Sequence, residues 1–185
     1  MKSLHYRVNE FLRSHNIPHS EDSERGEIVV LARLEHGFLI TKIRIDPNIN
    51  YIGIRTLIPV EVPAGRKSAV AEFAMAFHWS IKHGRFQLDL NDGELQFVTS
   101  AILGNTTPDD EFLMHLLVGN HLMADSAIPS FEAIAKRGQS PAETLEDFHS
   151  TMRETAQKAN TNVGAGVQPS RTRSMFGSGD QLSAN

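Results

Sequence analysis

The sequence predicts an α+β fold in the order helix, three-strand antiparallel meander, helix, β-hairpin and long C-terminal helix. Three observations carry this reading. Apolar residues recur at helical spacing in separated stretches, residues 27–63 switch to β-branched and aromatic alternation, and Asn91-Asp92-Gly93-Glu94 divides a second alternating stretch with a turn. A chain of 185 residues buries a substantial core but has no room for a second full domain, so residues 1–159 are expected to form one domain.

The first helix rests on Leu4, Val8, Phe11 and Leu12 at i, i+4, i+7 and i+8, with Arg7, Glu10 and Arg13 on the polar side and an end before Pro18. His19 to Gly26 lacks apolar periodicity and is expected to be a surface loop. Strands follow at 27–35, 38–46 and 51–60, joined by short links that suit antiparallel neighbours. In the second strand Leu39, Thr41, Ile43 and Ile45 alternate with Phe38, Ile40, Lys42 and Arg44, giving one apolar face and one mixed face.

Helical period returns over 64–83, where Val70, Phe73, Ala74, Phe77 and Ile81 form a stripe and Gly84 stands where a left-handed cap is expected. Ala71, Met75 and Trp79 form a second stripe almost opposite, so this central helix should be covered on two sides. The hairpin pairs Phe86, Leu88 and Leu90 with Leu95, Phe97 and Thr99. A third helix is expected to start at Thr107-Pro108-Asp109-Asp110, with a capping threonine, a core stripe of Phe112, Leu113, Leu116, Asn120 and Met123, and an interruption near Pro129. Its second stripe is Met114, Val118 and Leu122. Ser140-Pro141-Ala142-Glu143 reads as a capping box opening a helix whose Leu145, Phe148 and Met152 could cover such a stripe. Residues 160–185 are rich in Asn, Gly, Ser, Thr and Gln and are expected to form a disordered tail.

Composition narrows the function. With 18 basic and 22 acidic residues the formal charge is −4, which leaves no electrostatic footprint for a nucleic-acid backbone. No apolar run follows the positive charge at the start and none approaches the roughly 20 residues of a membrane span, so a cytoplasmic protein that is neither secreted nor membrane-bound is expected. The absence of Cys removes disulfides, thiolate metal sites and a Cys nucleophile. Of the nine His, only His15 and His19 stand at i, i+4, and Pro18 between them disfavours the continuous helix that would aim both rings at one metal. Asp89, Asp92 and Glu94 fit turn and strand-face roles better than acid–base chemistry, and no nucleophile elbow, phosphate-binding loop or dinucleotide fingerprint follows a strand. No catalytic, metal-binding or cofactor-binding residue is therefore assigned. Asn120, inside an apolar stripe, is expected to bond backbone at a helix crossing.

Val60-Glu61-Val62-Pro63, the hairpin run Gly84 to Leu95, and Ile128-Pro129-Ser130-Phe131-Glu132-Ala133-Ile134 followed by the capping box resemble the YbjN family over residues 25–147. That family is labelled as bacterial sensory transduction regulators, and its fold resembles that of type III secretion chaperones. The resemblance implies a homodimer formed largely through the central helix, with exposed apolar patches holding an extended segment of a client protein. Ala71, Met75 and Trp79 are then the natural dimer or partner surface. The competing reading is intramolecular cover of these stripes, but residues 141–156 make one narrow helix that can hardly cover both. A non-catalytic, chaperone-like or regulatory protein-binding module is the expected function; the alternative is a small-molecule-sensing regulator with a pocket between sheet and helix.

Overall fold

A computed structural model describes residues 3–166. The chain divides into two compact units, with the boundary between Phe148 and His149.

In the first unit, α1 (Leu4–Ser14) is capped by Ser3, whose hydroxyl accepts the Tyr6 amide, and buries Leu4, Val8, Phe11 and Leu12 as expected. Then come β1 (His19–Asp22), β2 (Glu27–Arg33), β3 (Phe38–Asp46) and β4 (Tyr51–Leu57). The stretch expected to be a loop thus contributes a strand. Its polar side chains need no apolar face because β1 lies at the edge of the sheet and is held by antiparallel pairing to β2, His19 opposite Val30 through Asp22 opposite Glu27.

After a single 3-10 turn, Ala64–Arg66, α2 runs Lys67–His78, β5 Arg85–Leu88, β6 Leu95–Ile102 and α3 Asp110–Ala135. The sheet is antiparallel throughout in the order β1-β2-β3-β4-β6-β5. Helix α2 stops a turn short of the expected end. Gly84 does adopt φ +89°, but it admits the chain into β5, where a Cβ would run into the Phe97 ring.

Helix α3 is capped by Asp109, whose carboxylate accepts the Phe112 amide at 2.8 Å, and not by Thr107. Pro129 lies inside it without ending it, because Ala124, Ala127, Ile128, Phe131 and Ile134 on either side are all deeply buried. Helix α4 (Pro141–Gly166) opens with the expected capping box: the Ser140 hydroxyl donates to the Glu143 carboxylate at 2.7 Å and accepts the Glu143 amide at 3.3 Å. The expected tail from residue 160 lies for the most part outside the described residues.

Two apolar clusters fill the unit. One joins α2 and α3 to the β5–β6 hairpin around Phe73, Phe77, Phe86, Phe97 and Phe131; the other joins α1 and the start of α3 to Ile28, Val30, Ile43, Ile52 and Ile54. Every strand residue in both clusters belongs to the same face of the sheet. Among the described residues, no helix of this unit lies on the opposite face.

The candidate interaction surfaces and the buried polar ladder

Helix α2 presents two contrasting sides. Val70, Phe73 and Phe77 are completely buried, with Phe77 packed edge-on against Phe86 and Phe148. On the other side Ala71 is half-buried, Met75 is 71% exposed and Trp79 is 94% exposed. Trp79 follows the last helical residue but keeps helical dihedrals, φ −62° and ψ −26°, so the three predicted residues share one continuous stripe. Behind it, the His78 Nε2 accepts the Phe86 amide at 2.6 Å and ties the end of α2 to β5. Burial, and secondarily the Arg85 guanidinium, lowers the His78 pKa.

The second stripe of α3 is covered only at Met114, which packs against the cluster beneath α1. Val118 and Leu122 are exposed, while Leu145 and Phe148 of α4 pack into the α2 cluster instead. They are drawn there by Phe77, whose ring lies 4.6 Å from that of Phe148.

The open face of the sheet is a surface the sequence reading left as merely mixed. Its pattern was visible along β3, where Phe38, Ile40, Lys42 and Arg44 point outward. Register extends it sideways: Leu31, Ile40 and Leu57 form an apolar row, and Val29, Lys42, Arg55, Val98 and Arg85 the next. Leu31 and Phe38 are about half exposed. A groove of 380 Å³ continues the apolar row past Phe38, Ile40, Leu57 and Pro59. At the other end a concavity of 130 Å³ is lined by Arg44, Arg55, Arg85 and Tyr51, with Gly53 in its wall. The Tyr51 phenol lies where a Cβ at position 53 would stand, so only Gly fits beneath it. Glu27 pairs with Arg55, and Val98, between Arg55 and Arg85, is just 3% exposed beneath the arginine stems.

Between α3 and the inward face of the sheet lies a polar ladder. The Asn120 amide donates to Ile54 O and Phe97 O, each at 3.3 Å, and to Thr99 Oγ1 at 3.1 Å; its oxygen accepts the Thr56 hydroxyl at 2.5 Å. Thr56 lies 2.7 Å from the Thr41 hydroxyl, which lies 2.7 Å from His121 Nε2. Since Thr56 spends its hydrogen on Asn120, Thr41 donates to Thr56 and His121 Nε2 donates to Thr41. Asn120 thus binds strand backbone across the helix–sheet interface, where a helix crossing had been expected. The ladder occupies the interval in which a ligand pocket was the alternative expectation. A cavity of 600 Å³ opens elsewhere, among the loops carrying Asn48, Ile49, Asn50 and Thr106.

The remaining polar candidates do local work. Asp89 and Asp92 accept the amides of Asn91 and Glu94, the turn chemistry expected of them. His36 bonds Asp125 through both its backbone amide and Nδ1, at 3.0 Å each, tying the β2–β3 turn to α3. His15 Nδ1 and His19 Nδ1 lie within hydrogen-bond reach of Phe11 O and Ile17 O. Among the described residues no three His, Asp or Glu side chains converge on a metal-sized site, and no helix is long and apolar enough to cross a membrane.

No family model and no curated protein matches the chain. Solved structures do. The crystal structure of YbjN, a candidate transcription regulator from E. coli, is similar with a TM-score of 0.54 and 15% identity, over 70% of this chain and 90% of that one. The ExsC–ExsE complex is similar with a TM-score of 0.52 and 14% identity, over 68% of this chain and 91% of that one. What is shared is the fold, and it is the α+β architecture that the sequence predicts.

Proposed function

We propose that the protein is a non-catalytic, chaperone-like or regulatory binding module, a homodimer joined through α2 that holds a segment of a client protein by burial and steric shielding, without turnover. The observation that carries this reading is the exposure of Trp79 and Met75 on a helix whose other side is fully buried. A buried indole removes roughly 150–250 Å² from water, about 4–6 kcal/mol at about 25 cal/mol per Å². Repeated across a twofold axis, that term would dominate a dimer, and Trp is the residue type most enriched among interface anchors. The open sheet face and its apolar groove lie apart from this stripe and remain available to a client. The likeness in fold to a regulator candidate and to a protein solved in complex with another protein agrees with this reading.

Light scattering on the wild type and on Trp79→Asp tests it. The wild type is expected at a mass near twice 20.5 kDa and the variant near 20.5 kDa with its circular dichroism unchanged. A wild type that stays monomeric at all concentrations refutes the α2 interface.

A further inference from the structure

We propose that the open face of the sheet is the client's seat, and that the client is an extended protein segment whose alternate side chains run from apolar to acidic. The proposal deepens the reading above and rests on it in one respect, that the protein works by holding another protein chain.

Charge is the first argument. Lys42 stands directly opposite Arg55 in the sheet, a cross-strand pairing of like charges that costs stability. Arg44 and Arg85 line the concavity beside Arg55, and among the described residues neither makes an ion pair; Glu27, which stands opposite Arg44 in the register, is ion-paired to Arg55. This concentration of positive charge occurs in a chain of net charge −4. One carboxylate, Glu27, serves three guanidinium groups here, which leaves capacity for another, because guanidinium forks bind carboxylates with paired, charge-assisted hydrogen bonds.

Size is the second. At 130 Å³ the concavity has room for a carboxylate. Its lining holds a single aromatic ring, Tyr51, which lies across Gly53, where single-stranded nucleic acid calls for aromatic platforms under successive bases.

Continuity is the third. The outward residues of β3 pass from Phe38 and Ile40 to Lys42 and Arg44 in steps of two, and the strand ends at Asp46 opposite Tyr51. Alternate residues of any extended chain are about 6.6 Å apart, so a segment lying along β3 meets these positions with its own alternate side chains. The complementary segment reads apolar, any, apolar, any, acidic, any, acidic.

The probe is a fluorescein-labelled peptide, Leu-Thr-Leu-Thr-Glu-Thr-Glu, followed by anisotropy beside a counterpart with Lys in place of Glu and a short oligothymidylate. The acidic peptide is expected to bind at least roughly tenfold more tightly than the Lys peptide, and to weaken roughly tenfold both in high salt and in the Arg44→Gln, Arg85→Gln double variant. Both arginines are exposed, and circular dichroism verifies that the variant folds. Equal binding of the two peptides, no binding of the acidic one, or an unaltered affinity in the variant overturns the proposal. So does tighter, arginine-dependent binding of the oligothymidylate. Trp79→Asp keeps the two readings apart: a monomer that still binds the acidic peptide leaves this seat standing whatever becomes of the α2 interface.

Discussion

Asn120 holds a place in an apolar stripe that no apolar side chain could fill without loss. Its amide serves two strand carbonyls and two threonine hydroxyls, so Asn120→Leu strips partners from groups that stay buried. A cost of about 3 kcal/mol or more is expected, read as a lowered urea midpoint at unchanged slope. The neighbouring His121 adds a pH dependence. Burial holds its pKa below the ordinary 6.5, and burial together with Arg85 does the same for His78. Below about pH 6.5 the unfolded chain takes up protons that the folded chain refuses, so this contribution is fully present above that value and fades as the pH falls toward the folded pKa values. The urea midpoint should drop between about pH 7.5 and pH 5, and the drop should be smaller in His121→Gln; a midpoint that held or rose would refute this. The sequence marks Asn120 as needing a partner, since an amide interrupts the stripe. It does not identify Thr41, Thr56 and Thr99, which come within reach only when three strands are aligned.

Elements whose local chemistry agrees with their surroundings were legible: α1, the meander, the hairpin and the capping box of α4 all follow from spacing and turn residues. The exceptions have separate causes. Strand β1 has no apolar alternation because an edge strand packed on one side by backbone pairing does not need it. Pro129 looks like a stop, yet the burial of Phe131 and Ile134 beyond it outweighs the lost hydrogen bond, on the order of 3 kcal/mol for a helix interior. At the start of α3, Thr107 and Asp109 are both plausible caps by residue type, and only the dihedrals decide. Asp109→Ala should therefore cost about 1 kcal/mol in urea unfolding and Thr107→Ala almost nothing; the reverse order would reassign the cap.

For the molecule as a whole, the strand order is what assembles the open face. Arg44, Arg55 and Arg85 lie on β3, β4 and β5, and β6 is inserted between the last two, so their grouping is invisible to a linear reading. The stripe of Ala71, Met75 and Trp79 needed only helical period, and it was legible for that reason. The strict alternation of β3 has one more result. Leu39, Thr41 and Ile43 carry the instructions for folding, whereas Phe38, Ile40, Lys42 and Arg44 are the residues that the proposed client seat would use as an address label on the same strand. If that seat is real, two descendants of this scaffold that differ at these four alternate residues would fold alike and choose different partners.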